Sequence, residues 1–205
     1  MRVILIGGSS HTGKSTLGEA LAAKLGWRHL STDRLARHPG RPWRTDTWTV
    51  PPHVEEHYLT LSVDELIADV LCHYRSMWPG IEALVTQHAT DPSADRLVLE
   101  GSALWPESVA TLTVDKVAAI WLTAGDDLFR ARIYAASRFE ASTAREKRMI
   151  QKFLQRTIRY NEQMMEAVNR LGLVSINVEA ASSVDELADM CLQLLRVERR
   201  SCQPQ

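Results

Sequence analysis

Eight residues near the start of the chain carry its most specific chemical signal. Gly8-Ser9-Ser10-His11-Thr12-Gly13-Lys14-Ser15 satisfies G-x-x-x-x-G-K-[ST] at every fixed position. Glycines let the backbone wrap, so that successive N–H groups converge on phosphate oxygens. A following helix would add its N-terminal amides and the positive end of its dipole. In this reading Gly8, Ser10, His11, Thr12, Gly13, Lys14, Ser15 and Thr16 form a nucleotide cradle. Lys14 reaches the β- and γ-phosphates, the Ser15 hydroxyl holds Mg²⁺, and Thr16 adds a contact to an inner phosphate. The alternative is a glycine turn with an incidental lysine. Given how common these residue types are, a chance match in a chain of this length is on the order of one per cent.

Two acids are placed to work with that loop. Asp33 follows the second strand candidate, in Leu30-Ser31-Thr32-Asp33-Arg34. Ligands of open α/β sheets sit at the carboxyl ends of the strands, so Asp33 is expected to face the same crevice. There it would orient or deprotonate an attacking hydroxyl, or help to hold the metal. Its other reading is a helix N-cap, for which Ser31, Thr32 and Asp33 all qualify. Glu100 closes the apolar run Leu97-Val98-Leu99 and resembles a Walker B acid, reaching Mg²⁺ directly or through water. Otherwise it is a solvated glutamate at a strand end. Gly101-Ser102-Ala103 after it would let a substrate approach the backbone.

Basic residues gather later in the chain. From Arg130 to Arg159 there are nine Lys and Arg and two acids, Glu140 and Glu146. Arg145, Arg148, Lys152, Arg156 and Arg159 recur at spacings of three or four and share one helix face. Ile150, Phe153, Leu154, Ile158 and Met165 take the other, which predicts an amphipathic helix. Its basic face is either a functional surface or a solvated one. His53-Val54-Glu55-Glu56-His57 matches the inverted zinc-protease pattern H-x-x-E-H. That pattern is short, and Pro51-Pro52 leaves little helix before it, so zinc proteolysis is discounted. His53 and His57 facing a substrate pocket, or plain surface histidines, are the other readings. Trp43, Trp48, Trp78 and Trp105 fall where they could wall an aromatic pocket, whereas Trp27 and Trp121 read as core. Arg34, Arg37, Arg41 and Arg44 could meet an anionic substrate.

The elements that must position these residues are legible as apolar runs. Arg2–Ile6, Trp27–Leu30, Arg96–Gly101, Lys116–Leu122 and Leu173–Val178 predict five strands, and helical patterns separate them. Leu17, Leu21 and Leu25, stopped by Gly26, mark the first helix; Ser183 to Val197 marks the last. Such alternation predicts a doubly wound, mainly parallel five-stranded α/β sheet. One insertion, 34–95, separates the second and third strands; it is rich in Pro, Trp, His and Arg at its start and mainly helical over 62–90. It is the expected seat of specificity.

Composition limits the alternatives. The 205 residues suit one domain, 1–205, and 45% apolar with 24% charged residues excludes wholesale disorder. With 24 Lys and Arg against 25 Asp and Glu, no global field draws the chain to nucleic acid or anionic lipid. Three scattered cysteines make neither a disulfide framework nor a zinc knuckle. Val3–Ile6 is too short for a signal peptide or a membrane span. The expectation is a reduced, cytoplasmic, soluble protein.

The phosphate loop, the Asp after strand two and the acid-Gly after strand three together resemble the small P-loop kinases, which include nucleoside monophosphate, shikimate and gluconate kinases and chloramphenicol phosphotransferase. Leu99-Glu100-Gly101-Ser102-Ala103-Leu104-Trp105-Pro106 is also similar to a stretch of 2-phosphoglycerate kinases. The resemblance covers residues 2–33, 96–106 and 117–138, under half of the chain. It implies transfer of the γ-phosphoryl group of ATP to a hydroxyl of a small molecule, with Mg²⁺ held by Ser15 and Glu100 and the acceptor positioned by Asp33. It also implies that 126–160 holds a lid and the basic helix after it, with Arg130, Arg132 and Arg138 in the lid region. Arg138 and Arg145 are the residues expected on the transferring phosphoryl group, beside Lys14. Two rivals remain: a regulatory ATPase or nucleotide switch acting on a protein partner, and a nucleic-acid end kinase, which the near-neutral charge disfavours. No N-K-x-D sequence is present, which points away from a guanine-specific GTPase.

Overall fold

A computed structural model describes residues 1–35 and 40–201, with side chains through Leu195. Arg37, one of the four arginines of the 34–44 cluster, lies outside the described residues.

The five expected strands form: β1 Val3–Gly8, β2 Arg28–Ser31, β3 Leu97–Glu100, β4 Val117–Thr123 and β5 Ser175–Asn177. They make one parallel sheet in the order β2-β3-β1-β4-β5. β1 is buried throughout, and its side chains alternate between two cores. Ile4 and Ile6 join Val98, Ile120 and Leu122 on one face; Val3 and Leu5 join Leu97, Leu99 and Trp121 on the other. The two-residue period of a strand enforces that division.

Among the described residues seven helices cover the sheet. They are α1 Lys14–Leu25, α2 Pro52–Thr60, α3 Val63–Thr90, α4 Pro106–Ala110, α5 Asp126–Ser137, α6 Ala144–Arg170 and α7 Val184–Ser201. Local chemistry sets their ends. Gly26 ends α1 at φ 66°, and its N–H reaches the Ala22 and Ala23 carbonyls. Capping boxes, Ser62 with Glu65 and Thr143 with Glu146, start the two long helices α3 and α6. Pro79 sits inside α3 without ending it. No described helix is long and apolar enough to cross a membrane.

The sheet order places the chemistry. β1 lies between β3 and β4, and the register aligns Ile6 with Glu100 and Ser31 with Glu100. The carboxyl ends of β1, β2 and β3 therefore finish side by side, with the phosphate loop leaving the first and Asp33 two residues past the second.

Candidate active site

The loop from Gly8 to Ser15 is held in shape by its own groups. Thr12 Oγ1 donates to the Ser9 carbonyl at 2.9 Å, and the Ser9 hydroxyl donates to the Thr157 carbonyl of α6 at 2.8 Å. Gly13 takes φ 96°, which side-chain-bearing residues rarely adopt. A Cβ there would meet only Arg132 at 3.5 Å, so conformation rather than crowding demands glycine. Gly8 differs: its Cβ would come within 2.9 Å of the Leu122 carbonyl. His11 holds φ 65° without being glycine, a strained backbone of the kind that gathers at ligand sites.

Lys14 is buried at the start of α1, its ammonium donating to the Ser9 carbonyl at 2.7 Å. Burial lowers its pKa, and the nearby Glu100 and Asp33 carboxylates work against that shift. The Ser15 hydroxyl donates to Glu100 Oε1 at 3.1 Å. Asp33 lines the same cavity. Its carboxylate is not the cap of the short 3₁₀ turn Thr32–Arg34; that cap is Ser31, whose hydroxyl accepts from the Asp33 N–H at 3.3 Å. The cavity measures about 290 Å³, and Arg41, Tyr74, Ser102, Phe153 and Arg156 line it beyond the loop and the acids. Behind the loop a second hollow of about 540 Å³ is lined by Gly13, Thr16, Arg132, Ser182 and Val184. Arg132 donates to the His11 carbonyl at 2.9 Å, tying α5 to the loop between the two spaces.

The residues present fit a magnesium nucleotide. Backbone amides and Lys14 offer donors to an anion. Ser15 and Glu100 offer adjacent oxygen ligands, the donor type Mg²⁺ takes, usually from one or two protein groups plus phosphates and waters. Among the described residues no cluster of three or more His, Cys, Asp or Glu could hold a metal alone.

Other expected residues fall elsewhere. Arg138 and Arg145 stand outside the cavity, Arg138 3.5 Å from Asp46 and Arg145 2.9 Å from Glu55; Arg44 pairs with Glu146 at 3.0 Å. Three exposed ion pairs thus join residues 44–55 to the 138–146 segment. His57 lies 3.7 Å from Asp69, and neither His53 nor His57 lines the cavity. None of the four tryptophans named for an aromatic wall lines it either; Tyr74 and Phe153 do. Trp43 is buried against Phe153, ring centroids 4.9 Å apart, and Trp48 is exposed.

The sequence reading missed Arg156. It grouped Arg156 with Arg145, Arg148, Lys152 and Arg159 on one basic face, functional or solvated, without singling it out, yet Arg156 is 6% exposed and lines the cavity. α2, α3, α4 and α5 all pack on α6, so the middle of that helix is enclosed while Arg145 and Arg159 remain outside. Phe153 three residues before it and Tyr160 four after it, both buried, were the available signal.

No protein-family model and no curated protein sequence matches this chain. Solved structures do. A shikimate kinase from Acinetobacter baumannii in complex with shikimate superposes with TM-score 0.54 at 16% identity, over 97% of this chain and 94% of that one. A gluconokinase from Sinorhizobium meliloti 1021 gives 0.55 at 18% identity, over 98% and 97%. The fold is that of the small P-loop kinases. A deoxyadenosine kinase from M. mycoides with bound dATP shares this P-loop kinase fold, with TM-score 0.51 at 14% identity over 95% and 99% of the two chains.

Proposed function

We propose that the chain is an ATP- and Mg²⁺-dependent phosphotransferase that moves the γ-phosphoryl group to a hydroxyl of a small molecule. One observation carries the reading: Lys14, the Ser15–Glu100 pair and Asp33 face a single cavity at the ends of three adjacent strands. A strand-loop-helix cradle alone would serve any nucleotide binder. An acid across from it, with enclosed space between, is what an acceptor needs.

In this reading the loop amides and Lys14 bind the phosphates, and Lys14 leaves the Ser9 carbonyl to meet them. Mg²⁺ on Ser15 and Glu100 would neutralise charge on the phosphate oxygens. Asp33 orients the acceptor hydroxyl and takes its proton as the oxygen bonds to phosphorus. The bond to the β-phosphate oxygen breaks, and ADP leaves with the electron pair. Arg138 and Arg145 act as lid residues by exchanging Asp46 and Glu55 for the phosphoryl group. A closed lid excludes water, which would otherwise compete as acceptor. The fold neighbours, with shikimate bound in one and dATP in another, support a small-molecule acceptor.

The testing variant is Asp33→Asn. It is expected to bind Mg·ATP as the wild type does and to lose phosphotransfer by a factor of about 10²–10⁴. Full transfer by Asp33→Asn would reduce that carboxylate to a cavity wall. ATP turnover that ignores every acceptor would favour a regulatory ATPase.

A further inference from the structure

A buried indole stabilises a fold more than an exposed one, yet Trp48 is 38% exposed. Its contacts account for its place. The indole N–H donates to the Arg41 carbonyl at 3.3 Å. The six-membered ring lies on Gly40, where a Cβ would come within 2.9 Å of Trp48 Cζ2 and where the backbone holds φ 98°. Crowding and conformation both demand glycine at that point. Trp48 is itself fixed, because its N–H and carbonyl pair with those of Thr45 at 3.3 and 2.9 Å across a tight turn. Ion pairs tie that turn to the 138–146 segment: Arg44 lies 3.0 Å from Glu146, and Asp46 lies 3.5 Å from Arg138.

Gly40 and Arg41, the two residues that Trp48 grips, line the cavity with Lys14, Ser15 and Asp33. The Arg41 charge acts on the phosphate loop. Burial first, then Arg41, ahead of Lys14, Arg132 and Arg156, holds down the pKa of His11 in that loop. Arg44, Arg138 and Arg145 have carboxylates within 4 Å, whereas Arg41 has none among the described residues. A guanidinium so placed is ready for an anion, and its planar fork can hold two oxygens of one phosphoryl group. The charge spread over those oxygens during transfer is what a fixed cation stabilises.

We infer that Arg41 meets the transferring γ-phosphoryl group, and that Trp48 is the positioning residue that holds it there. The inference rests on the proposed phosphotransfer and adds to it a cation that, unlike Arg138 and Arg145, breaks no ion pair to act. The turn at 45–48 links that cation to the 138–146 segment.

The experiment is calorimetric titration of the full chain with two magnesium nucleotides, ADP and the non-hydrolysable β,γ-imido analogue of ATP, at fixed ionic strength. Only the second carries a γ-phosphoryl group. Arg41→Gln is expected to weaken the analogue about 10–30-fold and ADP by less than about twofold. Arg41 is exposed, so this variant folds, and its ADP affinity is the check. Trp48→Ala is expected to weaken the analogue about 3–10-fold with the same selectivity. Trp48→Phe, which keeps a ring on Gly40 and loses the N–H, costs less and keeps the inference testable if Trp48→Ala disturbs the turn. Combined with Arg41→Gln, Trp48→Ala should weaken the analogue no further, because a positioning residue has no effect once its target is gone. Equal loss of both nucleotides, or loss of neither, in Arg41→Gln overturns the inference. So does a Trp48→Ala loss that adds to that of Arg41→Gln. A wild-type chain that binds neither nucleotide would instead overturn the phosphotransferase reading.

Discussion

Gly101→Ala tests how the acids are held in place. Gly101 follows Glu100 at φ 157°, its N–H donating to the Ile6 carbonyl at 3.1 Å. A Cβ on it would fall 1.7 Å from Thr32 Oγ1, 2.8 Å from Thr32 Cβ and 2.9 Å from Thr32 Cγ2. Thr32 is fully buried and precedes Asp33, so it has no room to turn away. Overpacking of this kind costs about 1–3 kcal/mol, and the backbone conformation adds up to about 1 kcal/mol. The variant should lose roughly 1–4 kcal/mol by urea denaturation, or about 2–16 °C in Tm for a chain of this size. Relief has to come from separating the ends of β2 and β3, which moves Asp33 away from Ser15 and Glu100. Nucleotide binding should survive while transfer falls. Thr32→Ala removes the oxygen at 1.7 Å, so in a double-mutant cycle it should return about 1–2 kcal/mol of the loss. A Gly101→Ala chain as stable as the wild type, or two substitutions whose effects simply add, would refute the crowding argument.

His11 gives a pH dependence. Burial first, then Arg41, Lys14, Arg132 and Arg156, hold its pKa down at about 4 against 6.5 for a free imidazole. Between those values the unfolded chain binds a proton that the folded chain refuses, so stability falls as pH drops through 6.5 and levels off below 4. The contribution is up to about 3 kcal/mol, and urea titrations of His11→Gln should lack it; an identical acid profile in the variant would contradict the assignment. Glu100→Gln should raise the Mg²⁺ concentration for half-maximal turnover and lower kcat about a hundredfold, measured by magnesium titration; unchanged magnesium dependence would remove Glu100 from the metal site. The ion pairs Arg44–Glu146, Asp46–Arg138 and Glu55–Arg145 are largely exposed, so Asp46→Asn with Glu55→Gln should cost under about 1 kcal/mol. Greater loss on denaturation would mean that the pairs hold the fold rather than merely link residues 44–55 to the 138–146 segment.

The inner strands β1 and β3 were legible because both faces of the sheet are covered there, which leaves uninterrupted apolar runs such as Val3–Ile6 and Leu97–Leu99; the edge strands β2 and β5 are only partly buried and carry a weaker signal. The phosphate loop was legible because its geometry needs glycine at fixed spacing. Long-range pairing was not. Nothing local says that Arg138 meets Asp46 or that Arg145 meets Glu55, about ninety residues away in each case. Arg156 shows the other limit. Periodicity gave the face of α6 correctly but not where along its length that face becomes enclosed. The short helix α4, Pro106–Ala110, escaped notice because five residues hold too few turns to show a period.

The central claim is acceptor-dependent transfer, and the most direct measurement follows the label from γ-³²P-ATP into small molecules. The wild-type chain with magnesium would be incubated with nucleosides, nucleotides, sugar acids, phosphoglycerates and phenolic or aminoglycoside hydroxyl compounds, with Lys14→Ala as the blank. The account predicts label in one acceptor class, matched by ADP, and none with Lys14→Ala. Label released only as inorganic phosphate, at a rate no acceptor changes yet lost with Lys14→Ala, would contradict it.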